Sequence, residues 1–326
     1  MSIRLLDEPK KDTRMMRDIF SGILAEQMAS DEYVCYLDAD LMSCVGTKKL
    51  MIQYPHRAIN SGIAEANMVG VAAGMSAAGM KPYVHTFAPF ASRRVMDQVF
   101  MSVAYAELNV RIIGSDPGVT AAYNGGTHMP FEDMAVMCAI PTATVIEPAD
   151  CAQFASVMRQ VKDRYGLIYI RLLRKNPFAI FTDDSEFEIG KGVTLRGGKD
   201  VTLMASGIML EQALKAAEIL AAEGINARVV NLFTWKPIDE TLIEACACET
   251  GAIVTAENHN ILCGLGSAVS NVVTSTYPVP VVRMGIEDEF GEVGPEDYLR
   301  KRFELTAEKI VAKAKLAISL KSVKQK

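Results

Sequence analysis

The sequence predicts an α/β protein of two successive domains, each a mainly parallel sheet flanked by helices. Three observations carry this. The chain has 326 residues, which suits two domains at about 100–200 residues each. Half of the residues are hydrophobic and 22% are charged, a balance that supplies a core and excludes disorder over most of the length. Short runs that are apolar on both faces alternate with stretches of helical period, the pattern of parallel strands covered on both sides. A sheet of this kind binds ligands at the carboxyl ends of its strands.

Residues 12–28 place Met16, Ile19, Phe20, Ile23, Leu24 and Met28 on one helical face. Residues 33–37 form a short apolar strand that ends at Asp38-Ala39-Asp40. Residues 62–79 are small and apolar on every side, so this helix is expected to be buried. A strand over 81–87, an amphipathic helix over 92–108 and a strand over 110–114 follow, the last leading into a glycine-rich loop over 114–127. A strand at 143–146, a helix at 150–162 and a strand at 167–172 close the first alternation. Residues 174–200 break the pattern with Pro177, charged side chains and Gly190, Gly192, Gly197 and Gly198, as a linker does. A second alternation has strands at 201–205, 226–231, 252–256 and 280–284 and helices at 209–223, 239–247 and 266–277. A last helix spans 307–320 with Thr306 as its N-cap, and the Lys-rich end is expected to fray.

The formal net charge is −5, from 34 Lys+Arg against 39 Asp+Glu, with no basic stripe, which argues against nucleic acid as a partner. The most apolar stretch, 63–78, carries Glu65 and Asn67 and is broken by Gly70 and Gly74, so it is short for a membrane span. The opening MSIRLLDEPKKDTR lacks the apolar core of a signal peptide. The seven cysteines lie mostly in apolar runs without a CxxC. They read as reduced and mostly buried, which points to the cytosol.

Glu65 is the only ionisable side chain between Arg57 and Lys81. Buried in such a helix it needs a partner or a proton, and its pKa rises as at acid–base sites. Exposed, it is a helix-start glutamate favoured by the dipole. His128 follows Asn124-Gly125-Gly126-Thr127 in a loop after a strand, as a functional group or as a capping residue. His56 and His85 carry the same weak signal. Phe87 and Phe90 sit past a strand end, as core or as a platform for a flat ring. Cys246-Ala247-Cys248, His259 and Cys263 lack the spacing of a common zinc site. Gly264-Leu265-Gly266 lacks the third glycine of a dinucleotide loop, so a tight helix start is the simpler reading.

Taken in order and spacing, seven segments resemble the carboxyl-terminal portion of the transketolase family. They are Leu37-Asp38-Ala39-Asp40-Leu41, Gly62-Ile63-Ala64-Glu65-Ala66-Asn67, Thr86-Phe87-Ala88-Pro89-Phe90, Gly125-Gly126-Thr127-His128, Tyr169-Ile170-Arg171-Leu172-Leu173-Arg174, Ala256-Glu257-Asn258-His259-Asn260 and Gly264-Leu265-Gly266-Ser267-Ala268. The resemblance runs from Thr13-Arg14 over nearly the whole chain. It implies a pyrimidine-binding domain for thiamine diphosphate over 1–180, a linker over 181–198 and a transketolase C-terminal domain over 199–326. It implies that Glu65 hydrogen-bonds a ring nitrogen of the aminopyrimidine and shares a proton with it. Phe90 would stack on that ring with Phe87 beside it, and Asp40 would lie toward the thiazolium. His128 would contact the substrate's reacting oxygens. Arg14 and Arg174 would hold a terminal phosphate, a role suited to a bidentate fork. Asp116, Asn124 and Ser43 would complete the substrate site.

Family members hold the diphosphate and its metal with a Gly-Asp-Gly followed by an Asn, and no Gly-Asp-Gly occurs here. The resemblance therefore implies one subunit of a split transketolase, which alone binds no metal and catalyses nothing. An N-terminal transketolase subunit would bring the diphosphate site and its Mg2+ (or Ca2+), in a dimer of heterodimers with helix 62–79 at the interface. The expected reaction moves a two-carbon ketol unit from a ketose or ketose phosphate to an aldose. The 114–128 loop departs from the family. Asp116 stands where many transketolases have a phosphate-contacting histidine, Tyr123 and Asn124 replace a Glu-Asp pair, and Met129 replaces a Gln. An acid at Asp116 repels a phosphate unless Arg14 or Arg174 offsets it. Within the same chemistry the alternatives are a 1-deoxyxylulose-5-phosphate synthase and a 2-oxo-acid dehydrogenase β-subunit. A non-catalytic binding subunit is disfavoured by Glu65, Phe90 and His128.

Overall fold

Alternation of apolar strands and amphipathic helices builds the molecule in the computed structural model, which describes residues 3–323. The first half runs β1 (Leu5–Lys11), α1 (Met16–Ser30), β2 (Val34–Asp38), α2 (Lys48–Gln53), β3 (Ala58–Asn60), α3 (Glu65–Ala77), β4 (Lys81–Phe87), α4 (Ala88–Ala91), β5 (Arg111–Ser115), α5 (Asp133–Cys138), β6 (Thr144–Ile146), α6 (Cys151–Val161), β7 (Ile168–Leu172) and β8 (Phe178–Phe181). The second runs β9 (Val193–Arg196), β10 (Val201–Ala205), α7 (Met209–Ala222), β11 (Ala227–Asn231), β12 (Thr234–Lys236), α8 (Glu240–Thr250), β13 (Ile253–Asn260), α9 (Leu265–Ser275), β14 (Val281–Ile286), α10 (Glu296–Arg302) and α11 (Ala307–Val323).

One sheet has the order β12-β6-β7-β5-β4-β2-β3 and a second the order β14-β13-β10-β11-β9. All pairings within them are parallel except those of the edge strands β12 and β9. Helices cover both faces, so neighbouring strand residues enter different layers of core. Ile112 and Ile113 do so on β5, and Leu203 and Met204 on β10. The helix ends follow local chemistry. Asp150 accepts from Gln153 N at the start of α6, Asp239 from Leu242 N at α8, and Thr306 Oγ1 from Lys309 N at α11.

Several expectations need correction. The helix expected over 92–108 is a 3-10 turn at Arg93–Val95 followed by a π-helix at Gln98–Ala104. Val95, Val99 and Val103 are all buried at four-residue steps. A turn wider than 3.6 residues keeps that spacing on one face. Helix α3 is not buried all round. Glu65, Met68, Val69, Ala72, Ala73 and Ser76 face inward, while Ala66, Asn67, Gly70, Val71 and Ala77 are bare. The stretch expected as linker contains β9, and β8 just before it pairs antiparallel with β1. Strand β12, from the second half, has no counterpart among the expected elements. It closes the edge of the first sheet by pairing with β6.

The cysteines are all unpaired, but only Cys35, Cys151 and Cys246 are buried; Cys248 and Cys263 are exposed. Among the described residues no helix is long and apolar enough to cross a membrane. The Lys-rich end beyond residue 323 lies outside the described residues.

A buried ionic group ties the halves together. Arg171 pairs with Asp133 through two nitrogens and with Glu147 at 2.6 Å. It also donates to the carbonyl of Asn258 at 3.1 Å. Breaking such a group by removing one partner costs about 3–5 kcal/mol.

Candidate active site

The carboxyl ends of β2, β4, β5 and β7 meet at the centre of the first sheet. A fully buried chain pegs three of them. Asp38 accepts from Tyr36 Oη at 2.6 Å and from His85 Nδ1 at 2.7 Å, and His85 Nε2 meets Ser115 Oγ at 3.0 Å. The carboxylate fixes the proton on Nδ1, leaving Nε2 as acceptor. Ser115 is wholly buried, so this Ser-His-Asp chain holds strand ends rather than attacking a substrate. His85, a weak candidate in the sequence, is structural.

Outside that peg lies a row of side chains. Glu65 opens α3, is 5% exposed, and accepts from Arg94 Nη1 at 2.6 Å. The Arg94 guanidinium lies 3.6 Å over the centre of the Phe90 ring. Phe90 meets His128 edge-on at 5.0 Å, and Phe87 meets the same imidazole at 5.7 Å. Arg174 lies 5.6 Å over Phe87 and grips Asp116 with Nη2 at 2.7 Å and Nε at 3.2 Å.

Partial burial, with the charges of Arg94 and Arg93, pulls the pKa of His128 below the usual histidine range. Thr127 Oγ1 sits 2.9 Å from its Nδ1. Burial pushes the Asp116 carboxyl up, and Arg174 opposes that shift.

The structure does not bring every expected residue to this row. The resemblance pairs Arg14 with Arg174, but the Arg14 guanidinium is bonded to Asp12 and Asp183 instead. It lines a separate groove with Gly22, Glu26 and Arg159. Two carboxylates close at hand outcompete an open position. Asp40 is exposed and exchanges hydrogen bonds with Asn60. Ser43 and Asn124 are also exposed. Met129 is buried.

Sequence reasoning misses Arg94. Its position four residues after Phe90 in a helical stretch is the available signal. Gly264-Leu265-Gly266 serves the chain itself. Glu257 accepts from Leu265 N at 2.6 Å and Gly266 N at 3.0 Å, so a carboxylate occupies this helix N-terminus. Burial pushes Glu257 up to about 8.

A family model described as the transketolase pyrimidine-binding domain matches residues 12–178, and one described as the transketolase C-terminal domain matches residues 190–310. The chain belongs to the transketolase family. Among transketolase relatives, the 6-deoxy-6-sulfo-D-fructose transketolase subunit of Clostridium sp. (strain MSTE9) is 50% identical over 94% of this chain and 95% of its own length. Transketolase of Homo sapiens is 32% identical over 83% of this chain, which spans 44% of that protein. A solved split-gene transketolase, described as an inactive β4 tetramer, superposes with a TM-score of 0.88 at 41% identity. The match covers 94% of this chain and 99% of that one.

Transketolase family membership implies dependence on thiamine diphosphate. The donor set here fits the heterocyclic half of that cofactor. Glu65 is a buried carboxylate that can serve a ring nitrogen, and Phe87 and Phe90 offer faces to a flat ring.

Proposed function

We propose that this chain is the C-terminal subunit of a split transketolase that moves a two-carbon ketol unit from a ketose bearing a distal sulfonate to an aldose. The row from Glu65 through Phe90, His128 and Phe87 to Arg174 and Asp116 carries this reading. It sets an acid–base end and an anion-reading end on opposite sides of the Phe90–His128–Phe87 cluster. Thiamine diphosphate supplies, when bound, the electron sink for cleaving the carbon–carbon bond.

Glu65 holds a proton toward the ring nitrogen, and Arg94 must release it for that contact. Phe90 and Phe87 stack and exclude water. His128, kept neutral, exchanges hydrogen bonds with the reacting oxygens. Arg174 reads the distal anion. The carboxylate of Asp116 cancels part of its charge, which disfavours a phosphate near −2 more than a sulfonate at −1. The donor printed in the name of the 50% identical relative agrees with this. A second reading, a phosphorylated donor, has support in an apulose-4-phosphate transketolase chain of Phocaeicola vulgatus, 34% identical over 84% of this chain.

The partner we propose is an N-terminal subunit that holds the diphosphate and its metal. Support comes from the missing Gly-Asp-Gly, from the bare face of α3 with Val71 exposed, and from Ile63, exposed just before that helix. The test is the reconstituted complex assayed with 6-deoxy-6-sulfo-D-fructose and D-fructose 6-phosphate. We expect kcat/KM at least tenfold higher for the sulfonate, and a loss of about 10²–10⁴ in kcat with Glu65→Gln. Equal or reversed preference overturns the sulfonate assignment. Near-normal turnover by Glu65→Gln overturns the role of Glu65.

A further inference from the structure

At the Asp116 turn the second half of the chain presents a buried side chain. Asn258, on β13, is 1% exposed. Its Nδ2 donates to the carbonyl of Pro117 at 3.0 Å and its Oδ1 accepts from Val119 N at 3.0 Å. These are the residues just after Asp116. The turn they form is unusual, because Asp116 and Gly118 both have φ of +54°. A non-glycine residue keeps that conformation only where its surroundings over-determine it.

The surroundings here are two walls. On one side Asp116 N donates to Leu172 O at 3.1 Å, and its carboxylate takes Arg174. On the other side stands Asn258, close enough that a Cβ on Gly118 would lie 2.2 Å from its Oδ1. Asn258 is itself fixed, since its carbonyl accepts from Arg171 within the buried ionic group. Farther along the same loop, a Cβ on Gly126 would lie 2.2 Å from the carbonyl oxygen of Gly291. Asn260 N donates to Phe131 O at 2.8 Å. The loop that carries Asp116 and His128 is thus cast against the second half.

We propose that Asn258 is a positioning residue for the distal end of the donor. It holds the 116–119 turn in the conformation that pairs Asp116 with Arg174, and through it the second half of the chain sets donor specificity. The inference rests on reading Asp116 and Arg174 as the distal-group site.

The test compares the complex of this chain and its diphosphate-binding partner with Asn258→Ala and Asn258→Asp. The Asp variant keeps the size and the acceptor for Val119 but loses the donor to Pro117, so it serves if the Ala variant does not fold. The donors are 6-deoxy-6-sulfo-D-fructose and L-erythrulose, a short ketose with no distal anion. KM for the sulfonate donor should rise at least tenfold, with kcat and KM for erythrulose within twofold of the parent. Equal losses on both donors, or none on either, overturn the proposal. Amide exchange gives an answer independent of turnover. Exchange over 117–121 should quicken in both variants while 126–129, held against Gly291, and 201–205 stay unchanged, and an unchanged 117–121 turn overturns the clamp. If Arg174→Ala leaves KM for the sulfonate donor unchanged in the parent complex, the distal-site reading fails, while the exchange result still decides the clamp.

Discussion

His128 stands between two aromatic rings with two guanidinium groups nearby, and its charge state decides what it can do. Burial and the charges of Arg94 and Arg93 lower its pKa, so the neutral imidazole persists further into acid than for a free histidine. Neutral, it offers one donor and one acceptor, which suits a group that meets both hydroxyl and carbonyl oxygens. Replacing Arg94 with Ala should raise the NMR titration midpoint of His128, because one of the positive charges that hold it down is removed. An unmoved midpoint would show that Arg94 does not set it. At this scale the sequence was half legible. Glu65 stood out as a lone charge in an apolar helix, yet its two readings were not exclusive: it opens the helix and is also buried, with Arg94 as its partner. Arg14 and Arg174 looked alike as isolated forks. What separates them is which carboxylates the folded chain brings near, Asp12 and Asp183 for one and Asp116 for the other.

Among the elements, strands buried on both faces were read close to their observed positions, and 81–87 and 201–205 were matched at both ends. Elements created by distant pairing were not. Thr234-Trp235-Lys236 is a strand because β6 is beside it, and nothing in three residues announces that. Helix α3 shows the other limit of pattern reading. Its small residues on every side suggested full burial, but within one chain only one face finds a neighbour. A Cβ on Gly70 has nothing within 4 Å. Gly70→Leu should therefore stabilise the isolated chain by about 0.8 kcal/mol through helix propensity, visible as an equal or higher melting temperature. The same substitution should weaken binding of the diphosphate-carrying partner at least tenfold by calorimetry. Unimpaired binding would place the partner elsewhere.

The whole molecule is held by groups that cross between its halves, and one of them is sensitive to acid. His259 is buried on β13. Its Nδ1–H donates to the carbonyl of Asn260 at 2.7 Å, and its Nε2 accepts from Ala135 N, in the first half, at 3.4 Å. Burial pulls its pKa down to about 4. The unfolded chain binds this proton near pH 6.5 and the folded chain only near 4. Stability is therefore complete above about 6.5 and falls as the pH drops toward 4, by up to about 3 kcal/mol. Urea unfolding at pH 7 and pH 4.5 should show this loss in the parent and much less of it in His259→Gln. Equal slopes in both would assign the acid sensitivity to other groups. The two-sheet plan was readable from the alternation of apolar runs, whereas this fastening was not, because Arg171, Asp133, Glu147 and Asn258 come from segments that only the folded chain brings together.

Strand β12 bears on where such a protein can be divided. A chain divides most cleanly at a seam that few contacts, and no strand, cross. The stretch over 181–198 looks like a seam in the sequence, but β12 lies beyond it and completes the sheet before it. Severed there, the first piece would present the raw edge of β6, ready to zip onto any passing strand. In this chain a cut at the glycine-rich break would yield an adhesive fragment, not a second working subunit.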